Sequence, residues 1–536
     1  MLHTNKPRLI IKRLILGFFL FLLLTVGWLI SWSTSSVSSL KSLKLNDAAN
    51  RANQALVVLQ PINNLLALKS KDLVAWQSGL ELVSSLADWQ NYLDSEGLKT
   101  QDISQIKPSV DLLNNTLDSL DQLSTDLPSA FILKSFVPNS IQDLLTYWQL
   151  HKNDLRLLVT DYILTDHKVL LLFQNSHELR ATGGFMGSYA LLEISQGKIN
   201  SWVVEDIYDA DGQFSGLVEA PPGVKEYLSS TRGMRLPDSN WQPEFDRSAQ
   251  QVLQYFALGN RQDIDTVVAI NHSALEKLLE ITGPVYLPDY HTTITDQTAV
   301  NLLENRPGTF FAGSQLKKHL ISQLFTQMII KLEGFSVDNW QSLIQLLPQL
   351  INSKDLQIYS IQPQTQQLLS DLGLTATWME IGDKDIVGWV ESNVGINKVN
   401  QYITRSLELE LDQYQTLITA SFENIGDRQY VNYQRLYLPQ NWQIVQLADK
   451  NKEIVVWHED LIELSNGETV KEVGFLMLVP AMEKQTISIT IDRRQDPLVT
   501  NQQLYLPKQS GLPPLPVTII KHNVSSTLLL ESDTVL

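Results

Sequence analysis

His177, Glu178 and Arg180 stand almost side by side, and Asp206, Asp209 and Asp211 follow a little farther along the chain. These residue types handle anions, protons and divalent cations. An arginine offers a planar fork of N–H donors that fits a phosphate or a carboxylate. Its structural alternative is a salt bridge to Glu178, Glu205 or Asp206. Three closely spaced carboxylates provide hard oxygen ligands for magnesium or calcium; in so acidic a chain they also occur as plain solvated turns. His177 beside Glu178 has the makings of a general base, or of a turn cap. Asp238 and Asp246, flanking Trp241, are further candidates. The sequence holds no zinc-ligand spacing and no defensible Ser-His-Asp order.

The segments around these residues must position them. Short apolar runs at 169–173, 188–194 and 199–207 are bounded by Gly, Asn, Ser and Gln, which predicts three neighbouring strands. His177, Glu178, Arg180 and the aspartates then fall in loops at strand ends, where chemistry concentrates. Gly183, Gly184 and Gly187 lie between two of the strands. They lack the spacing and the following helix of a dinucleotide cradle, so a tight turn with close backbone approach is expected. Farther on, Phe245, Ala249, Val252, Leu253 and Phe256 share a helix face. Residues 264–270 read as a buried strand, Ser273 and Glu276 form a capping box, and Gly283-Pro284 stops the helix. A later helix carries Leu316, Leu320, Leu324, Met328 and Leu332 on one stripe. Residues 166–410 thus predict an α/β domain with a mixed sheet.

Two flanking regions differ from it. Residues 33–165 have leucines at spacings of three and four, broken by prolines, and predict several helices: a stalk or oligomerising bundle, or a layer packed on the chain's own domain. From 411 to 536 the period changes to two, as at Ile487, Ile489 and Ile491, and a β-sandwich-like domain is expected.

The run Asn175-Ser176-His177-Glu178-Leu179-Arg180-Ala181-Thr182-Gly183-Gly184-Phe185-Met186-Gly187-Ser188-Tyr189, with the later block from Glu391 to Lys398, resembles the bacterial domain-of-unknown-function family 4012. The order of elements up to Thr282-Gly283-Pro284-Val285 is also similar to the LytR-CpsA-Psr family. Those membrane-anchored enzymes transfer cell-wall glycopolymers from a polyprenyl-pyrophosphate carrier, with arginines on the phosphates and aspartates on magnesium. The resemblance implies a catalytic role for Arg180, Asp209 and Asp211, with Asp206, Asp209 and Asp211 as metal ligands and magnesium as cofactor. Arg180 and His177, together with Lys317 and Lys318 in place of that family's arginine-rich helix, would bind the ligand. No second arginine stands in residues 207–211, and a bound cation would supply the missing positive centre.

The bulk numbers limit the function classes. With 43% apolar and 18% charged residues, the 536-residue chain has the composition of a globular protein of two or three domains. The formal net charge is −17, and Lys6, Arg8, Lys12 and Arg13 are the only charges before residue 33. The remainder is therefore strongly acidic, without a basic stripe, and nucleic acid is not an expected partner. Without cysteine, disulfides and thiolate chemistry are excluded. Residues 14–32 carry no charge, would span ~28 Å as a helix, and follow a basic 1–13 segment. This predicts a single membrane-spanning helix with a cytoplasmic N-terminus and the bulk of the chain outside the cytoplasmic membrane. The expected function is binding or transfer of a phosphate-linked envelope polysaccharide or a polyprenyl-pyrophosphate lipid; an enzyme here would be a phosphotransferase-type glycopolymer transferase. The alternative is a non-catalytic scaffold of the cell envelope.

Overall fold

The computed structural model describes residues 71–94, 106–130, scattered positions between 142 and 156, and 165–536, apart from 196–197, 214–215, 230–232, 262, 305–314, 334–336, 372, 500 and 522–523. The expected membrane span at 14–32 lies outside the described residues. Among those, no helix is long and apolar enough to cross a membrane.

The first described elements are two long helices, α1 (Lys71–Asp94) and α2 (Ile106–Asp126). They run antiparallel: the Ser78 hydroxyl donates to Asp126 at 2.6 Å, and Ser85 and Ser119 meet at 2.9 Å. Ala75 and Leu117 are buried on the described faces.

A five-stranded sheet follows, built from β1 (Asp166–Asn175), β2 (Phe185–Ser195), β3 (Lys198–Asp206), β4 (Thr266–Asn271) and, after a small hairpin of β5 (Val285–Leu287) and β6 (Thr292–Ile294), β7 (Leu356–Ser360). The order is β3-β2-β1-β4-β7. Only β1 and β4 are parallel neighbours; the other pairs are antiparallel. The helices between strands are α3 (Ile207–Asp211), α4 (Phe245–Leu258), α5 (His272–Thr282), α6 (Asp296–Glu304), α7 (Gln315–Glu333) and α8 (Val337–Asn352), with α9 (Pro363–Asp371) after β7. Side chains alternate across a strand, so β1 sends Leu170 and Leu172 to one face and Val169, Leu171 and Phe173 to the other. The first face packs on Ala249, Val252 and Phe256 of α4. The second packs on Ile321 and Phe325 of α7. Both faces being covered, β1 reads as an unbroken apolar run rather than an alternating one.

Two further sheets share one core. The strands are β8 (Asp385–Ile386), β9 (Gly388–Asn393), β10 (Ile403–Leu411), β11 (Gln415–Asn424), β12 (Tyr430–Pro439), β13 (Gln443–Asp449), β14 (Trp457–Glu463), β15 (Thr469–Val479), β16 (Lys484–Asp492), β17 (Leu504–Leu506), β18 (Leu515–Lys521), β19 (Val524–Leu530) and β20 (Thr534–Val535). One sheet runs β13-β16-β11-β10-β18-β19 and the other β14-β15-β12-β9, while β20-β17-β8 form a small separate sheet. Leu409, Ile418, Phe422 and Ile489 of the first pack with Trp389, Leu436 and Phe475 of the second. The expected border at 411 needs correction, because β9 and β10 already belong to these two sheets and β8 pairs with the late strand β17. Every residue of β9 is buried, so its sequence shows no period of two to mark it.

Candidate functional site

Beyond β1 the chain makes a single turn at Ser176–Glu178, pinned where the Asn175 side chain accepts from the His177 backbone N–H at 2.9 Å. Arg180 comes next and is only 1% exposed. Its Nε and Nη2 donate to Asp238 Oδ1 at 3.1 and 3.0 Å, and Nη2 also to Glu178 Oε1 at 3.3 Å. Nη1 donates to the carbonyls of Leu179 at 3.2 Å and Asn393 at 2.6 Å. The five N–H directions of a guanidinium are all in use. Burial opposes its charge, and Asp238 and Glu178 more than restore it. The same burial lifts the Glu178 carboxyl above its ordinary range, with Arg180 pulling the other way. The expected anion-binding and catalytic role of Arg180 is therefore corrected: the fork is turned inward as a structural clamp.

The tight turn after it depends on close approach. Gly184 has φ +153°, and a Cβ there would collide with the carbonyl of Asn175. At Gly183, with φ +128°, a Cβ would sit 2.6 Å from Ser510 Oγ.

The three aspartates go three separate ways. Asp206 caps α3, accepting from the Tyr208 N–H at 3.0 Å. Asp211 is forked by Arg235, with Nε at 3.1 and 3.0 Å from its two oxygens, and also accepts from Leu236 N–H at 2.9 Å. Asp209 lies 3.5 Å from Lys318 Nζ, which also approaches Glu205 at 4.0 Å. Among the described residues no three His, Asp or Glu side chains converge as a metal site. The expected magnesium ligands do not form a set, because capping and the Arg235 fork consume their oxygens, and the catalytic roles expected of Asp209 and Asp211 lose their metal. Lys318 is held by acids rather than offered to a ligand, and the side chain of Lys317 lies outside the described residues. Asp246 accepts from the backbone of Arg247 at 2.8 Å.

What the fold leaves open is a cavity of about 370 Å³ between the sheet and α7. Leu171 and Phe173 of β1 and Ile270 of β4 form one wall, and Phe325, Met328 and Leu332 of α7 face them. Polar residues lie at one end. Gln174 of β1 pairs in register with Asn271 of β4, so the carboxyl ends of the two parallel strands meet there. Asn175, Glu178, Asn271, His272 and Lys398 line that end. Ligands of open α/β sheets gather at such strand ends. The His177 ring stands edge-on to His272, with centroids 5.3 Å apart. His177 thus lies beside this polar end, whereas Arg180 does not line the cavity.

Residues 165–307 match the family model described as "Protein of unknown function (DUF4012)". This segment is a DUF4012 domain. No curated protein matches the chain. The matched segment of the DUF4012 domain runs from β1 to just beyond α6, so α7 and Lys398, which complete the cavity, come from outside it. The later block is joined to the DUF4012 domain directly. Asn393 N–H donates to Leu179 O at 2.9 Å, Asn400 Oδ1 accepts from Leu179 N–H at 3.3 Å, and Gln509 Nε2 reaches Arg180 O at 3.2 Å and Glu391 O at 2.8 Å. Sequence reasoning missed His272, Ser188 and Lys398. For Lys398 the signal was its position at the end of the second resembling block; for α7 it was Ile321, Phe325 and Ile329, a second apolar line beside the stripe of Leu320 and Leu324.

Proposed function

We propose that the DUF4012 domain binds the apolar chain of an envelope lipid in the cavity between the sheet and α7. The observation that carries this reading is the cavity itself: apolar along its walls, polar at one end, and about 370 Å³ in volume, inside the ~300–1,000 Å³ range of ligand sites. Each methylene buried there contributes about 0.8 kcal/mol before the cost of immobilising the chain. A single-pass anchor at residues 14–32, supported by their lack of charge and the basic segment before them, would hold the domain beside the membrane that supplies such a lipid. Transfer chemistry is not part of the proposal, since Arg180, Asp206 and Asp211 are spent on structural partners. That same observation favours a second reading, a non-catalytic scaffold of the envelope.

Lipid analysis of the full chain separates the two. The protein is extracted from membranes with a polymer that keeps its lipids, and native mass spectrometry reads the bound species. A chain-bearing lipid is expected on the wild type and lost in Met328→Trp, whose larger side chain fills the cavity. A wild type that carries no more lipid than Met328→Trp sinks the lipid reading and leaves the scaffold.

A further inference from the structure

The edge of a sheet presents backbone N–H and C=O groups that another strand can pair with, and proteins blunt such edges with charges, bulges or a covering segment. The two later sheets end on β13, β19, β14 and β9. β14 carries Glu459, Asp460 and Glu463. β13 is broken by a bulge between Ile444 and Gln446, and residues 453–455 fold over its far end. There Val455 N–H donates to Leu447 O and Asp449 N–H to Glu453 O, both at 3.0 Å. β9 is buried throughout and is bonded to the DUF4012 domain through Asn393 N–H.

β19 has none of these devices. Its residues, Val524-Ser525-Ser526-Thr527-Leu528-Leu529-Leu530, include no charge, proline or glycine. It pairs with β18 in an unbroken register, from Val524 opposite Lys521 to Leu530 opposite Leu515. No described strand lies on its other side. Residues 524–527 and Leu529 are exposed, whereas Leu528 and Leu530 pack on the shared core. Val524 is on the same strand face as those two leucines, yet is 69% exposed.

The two ends of this edge differ in sign. Lys521 stands beside Val524, while the exposed Glu531 follows Leu530. Lys521 keeps its own contact, the Gln502 carbonyl at 3.5 Å, and also acts on Asp385, so it contributes a positive field rather than a free ammonium. An antiparallel second copy brings Glu531 of each chain to the Lys521 end of the other, twice over. Elsewhere a chain of net charge −17 repels its own copy, and β19 is a strip without an acid. A two-fold axis normal to the sheet keeps the core faces together and makes the contact self-complementary. With Thr527 on that axis the whole of β19 overlaps. Val524 then lies against Leu530 of the second copy, and Ser526 against Leu528, so the exposed valine extends the core.

We propose that β19 pairs antiparallel with β19 of a second copy about a two-fold axis at Thr527, joining the two six-stranded sheets into one.

The chain has no cysteine, so an introduced one reports alone. Opposed residues of antiparallel strands have Cα atoms about 4.5–5.5 Å apart, within the reach of a disulfide. The full chain is oxidised mildly in its membranes. Thr527→Cys should give a covalent dimer, and Ser525→Cys should do so only when co-expressed with Leu529→Cys, its opposite number. Leu461→Cys, exposed on β14, measures chance collision. Thr527→Lys sets two ammonium groups face to face and should abolish the dimer in native mass spectrometry. Co-expression with Thr527→Glu should restore a mixed dimer, which also shows that both variants fold. Cross-linking of Thr527→Cys no greater than that of Leu461→Cys overturns the proposal. So does a Thr527→Lys protein that stays dimeric, or Ser525→Cys linking to itself as readily as Thr527→Cys. A cross-linked product whose mass is not twice that of the chain overturns it too, and gives the edge to a foreign strand.

Discussion

Replacing Arg180 by lysine keeps the charge and removes the fork, and the outcome distinguishes a clamp from a ligand residue. In the wild type the guanidinium joins Asp238, Glu178, the Leu179 carbonyl and the Asn393 carbonyl. A lysine ammonium is a single compact centre and cannot reach both carboxylates and both carbonyls at once. At least one buried acceptor is left bare, and breaking a buried ion pair costs about 3–5 kcal/mol. Taking the lower end, because one contact survives, the local opening free energy should fall by ~3 kcal/mol, or roughly a hundredfold in exchange rate. Amide hydrogen exchange of the full chain reads this where it matters. The Asn393 N–H is bonded to Leu179 O and the Gly183 N–H to Arg180 O, so both amides report on the clamp. Asp238→Asn should accelerate the same amides, and the double variant should be less than additive, because the two side chains are in contact. Exchange of both amides left unchanged in Arg180→Lys would refute the clamp.

Three further outcomes follow from the structure. Burial pushes the Lys508 ammonium down to about 8, although it donates to the carbonyls of Gln509 and Leu512. With the folded value below the unfolded one, the unfolded chain holds more protons between the two. Stability from this group therefore rises with pH, by roughly 2 kcal/mol from about pH 8 to 10. Urea melts across that window should show the slope in wild type and lose it in Lys508→Met; identical slopes would contradict the assignment. Gly184→Ala should cost more than ~3 kcal/mol, since the new Cβ meets the Asn175 backbone at a positive φ, and a midpoint within a degree of wild type would count against it. Limited proteolysis should leave 165–536 whole after the residues before it are cut, because β8 to β10 and Gln509 tie the units together. An early cut at the β10–β11 turn, with the rest surviving as two stable pieces, would show the units to be independent.

The residues from Asn175 to Tyr189 were legible as a special place, but their duties were not. Apolar runs bounded by Gly and Asn identify β1 and β2, and paired glycines identify a close approach, because those signals are local. The partners of Arg180 are not local: Asp238 is 58 positions away and Asn393 is 213. A lone arginine in a loop therefore reads equally well as ligand or clamp. The aspartates misled for the same reason, since the arginine that occupies Asp211 stands at 235. In the later sheets, Ile487, Ile489 and Ile491 were readable because their alternate neighbours are less buried, whereas β9 is covered on both faces and has no such rhythm. The cavity left no trace in any single segment. It exists only where side chains of β1, β2, β4, α5 and α7 come together, and no one of these segments shows it alone.

The side chain of Gln509 bonds to Arg180 O on one side and to Glu391 on the other, with Ser510 bridged to Thr182 and to Gln357 beside it. A ribosome makes Arg180 long before it makes Gln509. Through most of translation the early sheet must wait, Gly183 and the Arg180 carbonyl facing a gap that only a late strand-to-strand loop can fill. A frameshift or stop codon upstream of residue 509 would therefore do its harm at the opposite end of the gene product, by leaving the DUF4012 domain unlatched.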